Sequence, residues 1–176
     1  MWPALGGYRT DVLVRTLVFR APMRARDRDV PEGAGADFGV AHGLVGTGDA
    51  LDVVPATLDE AVAAATDRHG EKAGRMLRGF ASIPDGAFVW TRHADGRLRL
   101  GRVDGPWRYD DSPAAHAVGI HHVRPTAWLP RAFEEERVPA GVRATFDRGG
   151  RNLQRTHDED AERATVALWD VHAPVG

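Results

Sequence analysis

Residues 84–103, PDGAFVWTRHADGRLRLGRV, constrain the fold more than any other stretch of the chain. Pro-Asp-Gly at 84–86 sets a turn, AFVWTR is rich in β-branched and aromatic types, and Ala-Asp-Gly at 94–96 turns the chain into RLRLGRV. Two strands joined in this way form an antiparallel hairpin. In the second strand Leu98 and Leu100 share a face while Val103 takes the other, so the pattern slips at Gly101. A β-bulge there would restore the phase and bend the strand.

The remaining segments follow from the same reading. VLVRTLVF at 12–19 reads as a buried first strand, and APMRARDRDVPEGAGAD after it as a charged loop. FGVAHGLVG at 38–46 reads as a strand whose glycines admit another backbone or a ligand, with His42 on the face of Phe38, Val40 and Leu44. Thr57 and Glu60 make a capping box, so a helix begins at about residue 58, and Gly70 interrupts it before a second apolar stripe of Ala73, Met76, Leu77 and Phe80. Ser112 as N-cap, Pro113 at the first helical position and Gly119 frame a short helix. IHHVRPTAWLP reads as a strand broken by Pro125 and ended by Pro130, and helices follow near 139–148 and 158–170. The class is α+β with a bent or barrel-like sheet. One domain over 1–176 is expected, with its core at about 10–148 and a C-terminal helical segment at about 149–176.

Composition removes several chemistries. With no cysteine there is no disulfide, thiolate nucleophile or Cys-ligated zinc. Ser82 and Ser112 are the only serines, neither in a nucleophile elbow, and there is no phosphate-binding or dinucleotide-binding glycine loop. His121 and His122 are adjacent in a strand, so they point to opposite faces and cannot chelate one ion together. No cofactor, no metal and no catalytic residues are therefore expected. The opening residues lack the features of a signal peptide and no apolar run reaches a membrane span, so a cytoplasmic location without membrane contact is expected.

What stands out is aromatic rings interleaved with arginine. Net charge is only −2, but Lys72 is the single lysine among 23 cationic side chains. Nearly every cation is therefore a planar guanidinium able to grip phosphate or stack on a base. Trp90, Trp107, Tyr109 and Trp128 lie among Arg92, Arg102, Arg108 and Arg124. Each ring can equally anchor the core. Trp107, in a polar context, and Trp90, at a strand end, also stand where rings could stack on a flat base. Thr91, His42, Asp104 and amides near Gly43 or Gly105 could meet the polar edge of that base.

The run GAFVWTRHADGRLRLGRVDGPWRYDD, followed by HHVRPTAWLPR, resembles the PUA superfamily. Within it the similarity is to the EVE- and YTH-like modified-base readers, closest to the actinobacterial 5-methylcytosine-binding proteins related to type IV restriction. The resemblance covers roughly residues 10–148. It implies a PUA-like bent β-barrel surrounded by helices, and a pocket in which Trp90, Trp107, Tyr109 and Trp128 form the cage or its support. The G-W-G found upstream in many EVE-like sequences is Ala41-His42-Gly43 here.

The expected function is thus a nonenzymatic reader of 5-methylcytosine in duplex DNA that flips the modified base into a pocket. Its pocket residues would be Trp90, Thr91, Trp107, Tyr109, Trp128, His42 and Gly43. Phosphates would be held by Arg20, Arg24, Arg26, Arg92, Arg97, Arg99, Arg102, Arg108, Arg124, Arg148, Arg151 and Arg155. The partners would be methylated double-stranded DNA and a separately encoded nuclease. An RNA-binding PUA-type module and a small-molecule enzyme using His42, Asp104 or the His121 neighbourhood are the rival readings.

Overall fold

The computed structural model describes residues 16–176, so residues 12–15 of the expected first strand lie outside the described residues. The fold is α+β, a curled mixed sheet surrounded by helices. In chain order the elements are β1 (Val18–Arg20), α1 (Ala34–His42), β2 (Leu44–Thr47), α2 (Leu58–His69), α3 (Glu71–Ala81), β3 (Phe88–Arg92) and β4 (Leu98–Val103). Next come β5 (Arg108–Tyr109), α4 (Pro113–Val118), β6 (His122–Trp128), α5 (Ala140–Asp147), β7 (Gln154–Arg155) and α6 (Glu159–His172). The sheet order is β2-β6-β4-β3-β1-β7, with β5 also paired to β6. Among the described residues only β1 and β3 run parallel.

The hairpin forms as its turns dictate, β3 against β4, with Gly86 and Gly96 at φ 89° and 88°. No bulge interrupts it. Register runs unbroken from Phe88↔Arg102 to Arg92↔Leu98, and β4 continues unbroken against β6. The hydrophobic slip has a different cause, because the sheet is covered on both faces. Phe88, Trp90, Leu98 and Leu100 join one cluster with Leu129, Phe133, Val142 and α6, while Val89 and Val103 join another with Leu77, Phe80, Ile120 and Val123. Adjacent residues alternate between the two clusters as the pleat requires. Gly101 is small because Trp128 lies across it: a Cβ there would stand 2.5 Å from Cε3 of the indole.

The segment FGVAHGLVG is not one strand. Its first part is the end of α1, whose flanks Gly33 and Gly43 hold φ of 87° and 65°. Gly35 and Gly39, four apart, are buried on one side of this helix, where a Cβ would collide with Met23. The glycines thus let a backbone approach closely, but at helical spacing. Only Leu44–Thr47 is extended.

Pro125 does not break β6. Thr126 N donates to Gly43 O on the β2 side, and Pro125 O accepts from Asp104 N on the other. The missing N–H of Pro125 therefore faces the 104–107 turn, where β6 changes partner from β4 to β5, and no ladder bond is lost. The helix caps follow the sequence closely. Thr57 Oγ1 accepts from Glu60 N, Ser112 Oγ from Ala115 N, and Asp158 Oδ1 from Ala161 N. At Gly70, φ 92°, the chain folds α3 back onto α2, and Gly74 lies so close to Thr66 that a Cβ would not fit.

Candidate binding cavity and its arginine rim

A cavity of about 450 Å³ lies where α2 and α3 cover the sheet near His122. Met76, Leu77, Phe80 and Ile83 give it an apolar wall, the first three from the stripe of α3 and the last from the turn after it. Leu51, Phe19 and Leu153 add to that surface. Polar groups gather from five distant segments: Arg26, Asp49, His69, His122 and Asn152.

Asp49 is the centre of the polar end. Its Oδ2 forms an ion pair with Arg26, 2.5 Å from Nε, and lies 2.9 Å from His69 Nε2. His122 is buried beside Gly48, whose φ of 76° and lack of Cβ leave room for the ring. Trp107 Nε1–H, which can only donate, points at His122 Nδ1 at 3.4 Å. The imidazole proton therefore sits on Nε2. Burial, then the neighbouring His121, lowers the His122 pKa to about 4, so the ring is neutral near pH 7.

The ring residues expected from sequence do not converge on this space. Trp90 is wholly buried in the cluster of the opposite face, its Nε1 donating to Thr165 Oγ1 and its ring edge-on to Phe133. Thr91 is likewise fully buried. Trp128 packs over Gly101 and donates to Leu44 O. His42 ends α1, with Nδ1 on Phe38 O, and Gly43 is the left-handed cap after it. Trp107 and Tyr109 come nearest. Trp107 stacks on His122 at 6.0 Å and Tyr109 on His121 at 5.5 Å, while Tyr109 Oη accepts from the backbone N–H of Leu51, a cavity residue. Both rings support the cavity from behind through His122 and Leu51.

The arginines divide into two groups. Arg20 and Arg124, each 3% exposed, are structural. Arg20 donates to the carbonyls of Thr145, Gly149 and Asn152, and Arg124 to those of Phe80, Ile83 and Gly105 and to Asp85. Arg99 donates to Leu129 O, and Arg102 to Gly86 O while lying over Phe88. Arg92 pairs with Glu135, Arg97 with Asp95, Arg108 with Asp110 and Arg155 with Glu162. The second group stands together beside the cavity. Arg24, Arg26, Arg28 and Arg151 line a surface depression of about 620 Å³ that shares Arg26 with the cavity. A further depression shares Arg24 and Glu32 with it and reaches Arg92. Arg148 is exposed in the same 148–152 loop. Of the arginines expected to hold phosphate, the structure thus brings together Arg24, Arg26, Arg28 and Arg151, whereas Arg97, Arg99 and Arg102 line neither the cavity nor the first depression.

Asp49, His69 and His122 were not singled out as site residues in the sequence. The signal that marks Asp49 is the run Gly46-Thr47-Gly48-Asp49, two glycines at alternate positions closing a strand, both holding space for a neighbouring side chain.

No protein-family model matches the chain, and no curated protein does. Among solved structures, Protein Atu2648 from Agrobacterium tumefaciens is similar at 8% identity, covering 86% of this chain and 92% of that one, with a TM-score of 0.36. A likeness of that size carries no argument about fold or function.

Proposed function

We propose that this chain is a PUA-type reader of 5-methylcytosine in duplex DNA, taking the flipped base into the cavity beneath α2 and α3. The observation that carries this reading is the pairing of a largely apolar cavity, roomy enough for a flat base, with a polar end set beside a depression lined by four arginines together with Asp27 and Glu32. A cytosine offers an amino donor at N4 and acceptors at N3 and O2. The Asp49 carboxylate suits the first, and the Arg26 guanidinium and His122 Nε2–H suit the others. The 5-methyl group would rest on the wall of Met76, Leu77 and Phe80. Arg24, Arg28 and Arg151 would hold phosphates flanking the flipped nucleotide. No residue is asked to do chemistry, so the protein acts as a binding module, with cleavage left to a separately encoded nuclease.

The test is a fluorescence-anisotropy titration of methylated and unmethylated duplexes, and of matched RNA, at one fixed salt concentration. Tightest binding to methylated DNA is expected. Ala73→Phe, which fills the cavity from α3, should abolish that preference while leaving the circular dichroism spectrum unchanged. Equal affinity for the two duplexes overturns the reading, and preference for RNA replaces it with an RNA-binding module.

A further inference from the structure

Away from the cavity, α4 brings together three side chains that the proposed binding function does not use. Asp111, His116 and His121 place one ligand-capable atom each within 4.8 Å of one another. His116 sits in the last turn of α4, and Gly119, φ 66°, turns the chain so that His121 returns against it. The two imidazoles meet edge to face with centroids 4.5 Å apart, and His116 Nε2 is 2.8 Å from Asp111 Oδ1.

His121 is prepared as a ligand. It is 1% exposed, and its Nδ1 lies 2.7 Å from the backbone carbonyl of Asp110, an acceptor only. The ring proton is therefore on Nδ1, and the lone pair is on Nε2. This is the outer-shell arrangement that fixes a metal-binding histidine by its second nitrogen. Stacking on Tyr109 holds the ring plane. Asp111 and His116, by contrast, are about half exposed and able to move. Bonds of about 2.0–2.2 Å from zinc to nitrogen and oxygen put its ligands roughly 3–4 Å apart. Closing the set therefore needs a shift of about one ångström by the two mobile side chains, with His121 fixed.

We propose that Asp111, His116 and His121 form a binding site for a divalent transition-metal ion of the zinc class. Two imidazoles and one carboxylate suit zinc, nickel or cobalt and disfavour calcium and magnesium, which take oxygen ligands. Three protein ligands leave a position open to water or to a further donor. The ion would also lock Tyr109 through His121, and with it the Leu51 amide at the cavity edge.

The test uses the tag-free full chain stripped with chelator, titrated with zinc by calorimetry and with cobalt by visible absorption. The expected result is one equivalent bound with a dissociation constant below about 10 µM, with cobalt ligand-field bands of a low-coordinate site. His116→Ala and Asp111→Asn, both at exposed positions, should each weaken binding at least about tenfold with unchanged melting temperature in the stripped protein. Weaker zinc binding by the natural chain, or binding that survives both substitutions, overturns the proposal. Methylated-DNA affinity is read separately, so failure of the reader function leaves this result standing.

Discussion

Arg124 and Arg151 carry the same side chain and do opposite work. Arg124 is buried and saturates three carbonyls and Asp85 across the sheet edge, whereas Arg151 faces solvent at the rim. Removing Arg124 strands buried acceptors without a donor, a loss on the order of 3–5 kcal/mol. Arg124→Ala should therefore unfold at much lower urea, and Arg151→Ala should match the natural chain in urea while, on the proposed reader function, binding DNA less tightly. Residue identity alone could not separate them, since burial of a guanidinium is decided by carbonyls contributed from 19 to 44 positions away. His122 makes a second prediction at this scale. Its pKa falls from 6.5 to about 4 on folding, so between these values the unfolded chain binds a proton that the native ring refuses. Stability is complete above about pH 6.5 and declines as pH drops towards 4, by roughly 3 kcal/mol in total. His121, also lowered by burial, acts in the same direction. Urea midpoints of chelator-treated protein at pH 7.5, 6, 5 and 4.5 should fall steadily, and His122→Gln should flatten the fall.

At the level of elements, the local signals were legible wherever the determinant was local. The Thr57–Glu60 box, the Ser112-Pro113 start with Gly119 behind it, and the two hairpin turns each produced the element they announce. The failures are the places where a distant neighbour decides. FGVAHGLVG alternates well enough to pass for a strand, but Gly35, Gly39 and Gly43 are spaced by four, and the first two flatten a helix against Met23. The slip at Gly101 suggests a bulge only while one face of the sheet is taken as solvated. Two glycine substitutions separate these effects. Glycine to alanine in a helix interior ordinarily gains up to about 1 kcal/mol. Gly79→Ala in α3, where an added Cβ has no heavy atom within 4 Å, should show that gain. Gly39→Ala in α1 should lose stability instead, because its Cβ would stand 2.6 Å from Leu44 O and 2.8 Å from Met23 Sδ. Paired urea melts showing the same sign for both would contradict the packing described for α1.

Over the whole molecule, the sheet separates two jobs. The face carrying Trp90, Leu98, Leu100 and α6 is closed core, and the face carrying Val89 and Val103 leads to the cavity. The rings that dominate the sequence belong mostly to support, and the cavity is lined by residues from β1, the 21–32 loop, the 47–51 segment, α2, α3 and the turn after it, β6 and the 152–153 segment. Such a site has no sequence motif, because its parts meet only after the sheet has curled and α3 has folded back on α2. Charge behaves in the same way. A net charge of −2 disguises the local concentration of Arg24, Arg26, Arg28 and Arg151, which outnumber the acidic residues lining the same depression, Asp27 and Glu32, the latter paired with Arg24 as Asp49 is with Arg26. If phosphates replace solvent at this rim, binding weakens linearly in log salt, with a slope near −0.9 for each phosphate neutralised on duplex DNA. Arg28→Ala and Arg151→Ala should each make that slope shallower by about one without altering the preference for the methylated base. Asp49→Ala should do the reverse, erasing the preference and leaving the slope nearly unchanged. Anisotropy titrations from 50 to 300 mM salt would show the two classes of variant separating, and a common behaviour in both would place the nucleic-acid surface somewhere other than this rim.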